Sequence, residues 1–184
     1  MIDVGFGSLP VKQSLTPDET MRATNTSDNS FAALVTNRFK MKMYMLTHLP
    51  LAFVAGLAVT RFDELGATVS VPFKWLNKNP FGSIYFAPLS MAAELSSGLL
   101  ALEAVQKSPT PVSMLVLAMQ AEYLKKAKSK IFFSCNEKEA LQQAVLHAAQ
   151  TGQALTYDSN IEGVDTSNTV VARFRITWTF KIKS

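Results

Sequence analysis

The sequence predicts an α+β domain in which an antiparallel sheet curls around one long buried helix. Three observations lead there. The segment "APLSMAAELSSGLLALEAVQK", starting at Ala87, carries apolar residues on nearly every side, and a helix that is apolar all round has to be enclosed. In "TVVARFRITWTFKIKS" the residues Val170, Ala172, Phe174, Ile176, Trp178, Phe180 and Ile182 alternate with Arg173, Arg175, Thr177, Thr179, Lys181 and Lys183, the pattern of a strand with one face covered and one wet. Most of the strand-like runs follow the apolar helix without crossover helices between them, which antiparallel pairing allows.

Residues 1–30 are rich in Thr, Ser, Asn, Asp and Pro and contain "TNTSDNS"; with little to bury they read as a tail or a loosely docked arm, leaving 31–184 as the domain. Phe31, Leu34, Val35, Phe39, Met45 and Leu46 fall near helical spacing, with Ser30 as a candidate N-cap and Pro50 as a stop. From Ala52 to Lys74 two short β-rich runs flank "DELG", a hairpin signal. The turn "NPFG", Asn79 to Gly82, precedes the apolar helix, which has Pro88 near its start and spans roughly 30 Å. Beyond it, "PVSMLVLAMQAEY" and "SKIFFSCN" read as strands joined by the basic turn "LKKAKSK", although the first also fits a short buried helix. In "NEKEALQQAVLHAAQTG", Asn136 as cap, Glu139 three residues on and Gly152 at the end mark a short helix.

The 184 residues suffice for one unstapled core, and a composition that is 48% hydrophobic and 17% charged is that of a folded domain. The net charge of +4 favours anionic ligands without requiring nucleic acid, and aromatics do not interleave with the basic residues as single-strand binding would need. Cys135 is the lone cysteine and His48 and His147 the only histidines, too few for a structural zinc site and consistent with a reducing, cytoplasmic setting. No metal and no membrane span are expected: the run "LPLAFVAGLAV" is about half the ~20 residues a span requires.

The spacing Asn79, Gly82, Glu94 resembles the Asn-x-x-Gly turn, followed on the central helix by an acidic residue, of hotdog-fold acyl-CoA thioesterases of the phenylacetate-pathway type. The "NPFG" turn and "SMAAELSSG" helix are also similar to a hotdog branch with no assigned activity. The resemblance, over Phe31 to Ser184 in element order, implies a hotdog fold and hydrolysis of an acyl-CoA or acyl-carrier thioester, with coenzyme A as part of the substrate and no separate cofactor. The long sheet edge that such an arrangement leaves open, and a site near the helix end that one chain cannot close, predict at least a homodimer, or a dimer of dimers. Where those enzymes carry His-Gly-Gly after the turn, this chain has Tyr85, Phe86 and Ala87. A non-catalytic hotdog module that binds an acyl chain or a partner protein is the alternative.

Glu94 is the single charged residue between Lys78 and Glu103. A carboxylate in such surroundings is costly unless it is paired, hydrogen-bonded or protonated, and tuned groups of this kind gather at functional sites. It is the candidate general base or nucleophile, the alternative being a structural glutamate that caps a neighbouring chain's backbone or pairs with an arginine such as Arg61 or Arg173. Gly82 would present an oxyanion-binding N–H, and Asn79 would orient water or the carbonyl; each is also an ordinary turn residue. Tyr85 and Phe86 would line the substrate site, and Lys125, Lys126 and Lys128 would meet the phosphates of coenzyme A, unless they are only a solvated hairpin tip. Cys135 reads as a core residue rather than as a nucleophile activated by His147.

Overall fold

The computed structural model describes residues 30–183. The expected N-terminal arm therefore lies outside the described residues, apart from Ser30, which is already helical.

The first helical stretch is broken into three. Residues 30–36 form α1, and Asn37 then leaves helical geometry and caps α2 (Arg38–His48), its Oδ1 accepting the N–H groups of Phe39 and Lys40. Pro50, expected as a stop, instead starts α3 (Pro50–Ala55), which ends on Gly56 in the left-handed region. Proline suits a first helical position because its missing N–H would have no partner there. The break re-phases the chain: Phe31, Val35, Met41 and Met45 are buried while Phe39 and Leu46 point outward.

The hairpin expected around "DELG" is β1 (Ala58–Phe62) and β2 (Ala67–Val71). A short 3-10 turn, Trp75–Asn77, leads to the "NPFG" turn and then to α4 (Phe86–Gln106), the long buried helix. After it come β3 (Val112–Tyr123), β4 (Ile131–Cys135), α5 (Lys138–Thr151), β5 (Leu155–Val164) and β6 (Val170–Ile182). The segment "PVSMLVLAMQAEY" is thus strand, not helix. Helix α5 starts one residue later than expected, capped by Glu137 and not Asn136, whose side chain accepts from Arg61 instead; its end at Gly152 is as expected.

All strand pairs are antiparallel, in one six-stranded sheet ordered β1-β2-β4-β5-β6-β3. Helix α4 packs against β2 to β6, and α5 lies beside it. The alternation in β6 is realised, with Phe174, Ile176, Trp178 and Phe180 buried and Arg173, Arg175 and Lys181 exposed. Strand β3 is the sheet's far edge. It pairs with β6 on one side only, and Leu115 and Leu117 stand 65% and 61% exposed.

Candidate functional site

Helix α4 enters from the "NPFG" turn, and the turn's own hydrogen bonds fix where the chain can receive a ligand. Gly82 takes φ +72°, a conformation that glycine adopts without strain. Its N–H donates to the Asn79 carbonyl at 3.1 Å. The Asn79 side chain is also engaged within the turn: Oδ1 accepts from the N–H of Phe81 at 3.0 Å and of Ser83 at 3.2 Å, while Nδ2 donates to Ser83 Oγ at 3.0 Å. Asn79 and Gly82 thus shape the loop, and neither presents an unengaged donor among the described residues.

The unengaged donors lie slightly further on. Tyr85 is the N-cap of α4 in extended geometry with no side-chain cap, and its N–H donates to the Asn77 carbonyl at 2.7 Å. The N–H groups of Phe86 and Ala87 have no partner among the described residues, and residue 88 is a proline. Two N–H groups at the positive end of a 21-residue helix make an anion-binding position. Phe86, followed directly by Ala87, lines a cleft of about 480 Å³ whose walls also include Asn79, Tyr85, Tyr123, Lys125 and Lys126. Sequence reading had named five of these six wall residues, yet it passed over the two N–H groups; the lack of any Ser, Thr, Asp or Asn at position 85 was the available signal. Lys128 is exposed and does not line this cleft.

Glu94 is elsewhere. It lies eight residues into α4 from Phe86, about 12 Å along the axis, and forms the wall of a second cleft of about 300 Å³ with His48, Leu49, Leu51, Met91 and Leu95. The α2–α3 elbow supplies the opposite wall. Neither arginine considered as a partner reaches it: Arg61 pairs with Asp63 at 3.0 Å and Arg173 with Glu162 at 2.9 Å. With no cation among the described residues to offset it, burial pushes the Glu94 carboxyl above its ordinary value of 4.5.

Two features hold Glu94 in place. Ser97 Oγ, which accepts from the Trp178 indole N–H at 3.1 Å, donates to the Glu94 carbonyl at 3.2 Å. One turn on, Gly98 has no side chain, and Glu94 Oε1 occupies that space: a Cβ there would lie 2.9 Å from it.

A second acidic residue on α4 escaped sequence reading. Glu103 is buried between Lys107 and Lys138, each 3.2 Å away. Its Oε2 faces Lys138, itself buried and also donating to the Asp63 carbonyl at 3.2 Å. Lys138 also lies 3.6 Å from Glu64, so two carboxylates balance two ammonium groups, and the cluster fastens α5 to α4. Cys135 is buried in β4, where desolvation above all pushes its thiol up to about 12, and His147 is exposed on α5. The thiol is a core group, as expected. Among the described residues no cluster of potential metal ligands occurs.

An antiparallel sheet wrapped around a central helix entered from a glycine turn defines the hotdog class. The chain belongs to the DUF4442 family, a domain of unknown function, which matches residues 37–180. Solved structures share its fold. A probable thioesterase of unknown function from Pseudomonas aeruginosa superposes with TM-score 0.66 at 19% identity, over 82% of this chain and 99% of that one. A putative thioesterase from Shewanella oneidensis gives 0.67 at 12% identity, over 83% and 99%. A thioesterase from Haemophilus influenzae gives 0.50 at 13% identity, over 93% and 94%. No curated protein is matched by the sequence.

Proposed function

We propose that the protein hydrolyses the thioester of an acyl-CoA or acyl-carrier substrate, with Glu94 as the base that activates water. The observation carrying this reading is Glu94 itself, a half-buried carboxylate in the wall of an apolar cleft with no cation beside it among the described residues. Such a group accepts a proton more readily than an exposed glutamate, as a general base working near neutrality must. The N–H groups of Phe86 and Ala87 receive the carbonyl oxygen as it gains charge, Asn79 and Gly82 hold the loop that presents them, and Lys125 and Lys126 meet the phosphates of the carrier.

In one chain the base and these N–H groups line different clefts, so the reading needs a second copy to bring one protomer's Glu94 to its partner's helix start. The open β3 edge supports this homodimer: a twelve-residue strand with Leu115, Leu117 and Met119 uncovered is an edge that proteins pair or shield. Phe81, Tyr85, Phe86 and Tyr123, exposed around the first cleft, would be covered by the same contact.

The hydrolytic step balances without a cofactor. Water loses a proton to Glu94 as its oxygen bonds to the carbonyl carbon; the C–S bond then breaks, giving a carboxylic acid and a thiol that takes the proton.

The engaged Gly82 N–H and the bulk of Tyr85 and Phe86 favour a second reading, a module that binds an acyl group without turning it over. Incubating the protein with acyl-CoA esters of graded chain length and detecting free thiol separates the two. Release on at least one chain length is expected, and no release above buffer on any of them would leave the binding module.

A further inference from the structure

Helix α2 is apolar on two opposite faces. Met41 and Met45 point into the core, whereas Phe39, Met43 and Leu46, at i, i+4 and i+7, form a stripe on the far side and stand 74%, 44% and 43% exposed. Leu51 on α3, 74% exposed, and Val54 extend the apolar surface. Trp75 and Leu76, both exposed, stand on the turn tied to the end of α3, where Lys74 Nζ donates to the Val54 carbonyl at 2.7 Å and Asn77 Nδ2 to the Ala55 carbonyl at 2.8 Å.

The charged residues that α2 itself carries have one sign. From Ser30 to Thr60 the sequence contains Arg38, Lys40 and Lys42 and no Asp or Glu, whereas Arg61 is paired with Asp63 and Glu94 lies in the wall of the elbow. Lys40 and Lys42 flank the stripe on either side. Along one flank Arg38 and Lys42 meet Lys130, Thr60 and Ser70 in a cleft of about 220 Å³. None of these three cations forms an ion pair among the described residues. Three unpaired cations around a small cleft are suited to an anionic phosphate group, and an apolar stripe edged by lysines is suited to the boundary between headgroups and acyl chains.

We propose that the outer face of α2 and α3 docks the protein on an anionic phospholipid surface, with a headgroup phosphate in the Arg38–Lys42–Lys130 cleft and Phe39, Met43, Leu46 and Leu51 entering the interface. No described helix is long and apolar enough to cross a membrane, so this contact is peripheral. The same α2–α3 elbow walls the Glu94 cleft, and docking brings that cleft to the surface from which an acyl chain would enter. The docking itself does not depend on the hydrolytic reading.

Flotation of the full chain with vesicles of phosphatidylcholine alone, or of phosphatidylcholine and phosphatidylglycerol at 7:3, tests it at low and moderate salt. Binding is expected on the anionic vesicles only, and weaker with added salt. The triple variant Arg38→Gln, Lys42→Gln, Lys130→Gln, and separately Phe39→Ser with Met43→Ser, each reduce binding at least tenfold, whereas Arg175→Gln, Lys181→Gln, Lys183→Gln, with equal loss of charge on and just beyond β6, leaves it within twofold. Equal loss in the β6 variant would reduce the effect to net charge and overturn the proposal, as would equal binding to neutral vesicles or none to either. Light scattering gives the remaining arm: if Phe39→Ser with Met43→Ser lowers the oligomeric mass without changing vesicle binding, a second copy covers this face. If inorganic phosphate abolishes vesicle binding at a concentration where chloride of equal ionic strength does not, the cleft takes free phosphate in preference to a headgroup, and the headgroup assignment fails.

Discussion

Glu94 and Gly98 share one volume: the Glu94 Oε1 stands where a side chain on Gly98 would begin, 2.9 Å from the position of its Cβ. The glycine one turn on leaves the carboxylate the space in which it rests.

Replacing Gly98 with alanine separates position from stability. The new methyl meets the Trp178 ring at an ordinary 3.4 Å and collides only with the mobile end of Glu94, and alanine in a helix is favoured over glycine by up to about 1 kcal/mol. Thermal melting should hold or rise while turnover falls at least tenfold with little change in KM, because a displaced base affects the chemical step more than binding. Unchanged turnover would release Gly98 from any positioning role.

The raised Glu94 pKa makes a signed prediction about stability. A folded-state pKa above the unfolded value means that the protonated form is the better tolerated one, so the contribution is fully present below about pH 4.5 and is lost as pH rises through the folded value. Glu94→Gln should therefore melt together with the parent at pH 4 and above it at pH 8. A variant that melts lower at pH 8 would show that the carboxylate has a stabilising partner.

Backbone donors are tested by proline, which fits a first helical position. Phe86→Ala removes the ring and keeps the N–H; Phe86→Pro removes both. With Tyr85 already at φ −64° and ψ 148°, the proline variant should fold. Its turnover should fall roughly 10²-fold or more below that of Phe86→Ala if the N–H stabilises the oxyanion, and equal rates in the two would discard this donor.

The buried cluster at the far end of α4 bears on folding alone. Lys138→Met leaves Glu103 with Lys107 as its remaining close cation and should cost about 3 kcal/mol in chemical denaturation, the low end for breaking a buried pair. Turnover per folded molecule should not change.

Much of the architecture was legible because its signals are long. The alternation of β6 and the all-round apolarity of α4 each run over a dozen or more residues and survive local noise. Strand β5 was missed because its inward face, Leu155, Tyr157, Ser159, Ile161 and Gly163, loses its apolar signal at two small residues. Gly163 is small for a tertiary reason that no local pattern carries: the Phe133 ring lies where its Cβ would be, at 2.3 Å. The break at Asn37 was written in the sequence as a capping residue inside a helical pattern, but the apolar spacing concealed it. The separation of Glu94 from the loop donors depends on how far a helix advances per residue and on which elements wall each cleft; motif spacing alone does not express that.

The central claim is that Glu94 takes the proton from the attacking water. Thiol release from the best acyl-CoA ester, measured for the parent and Glu94→Gln at matched folded concentration, tests it most directly. The account predicts a fall in turnover of roughly 10²–10⁴ with the oligomeric mass retained and melting no lower than the parent's. Turnover within a few-fold of the parent, in a variant equally folded, would contradict it and remove Glu94 from the chemistry.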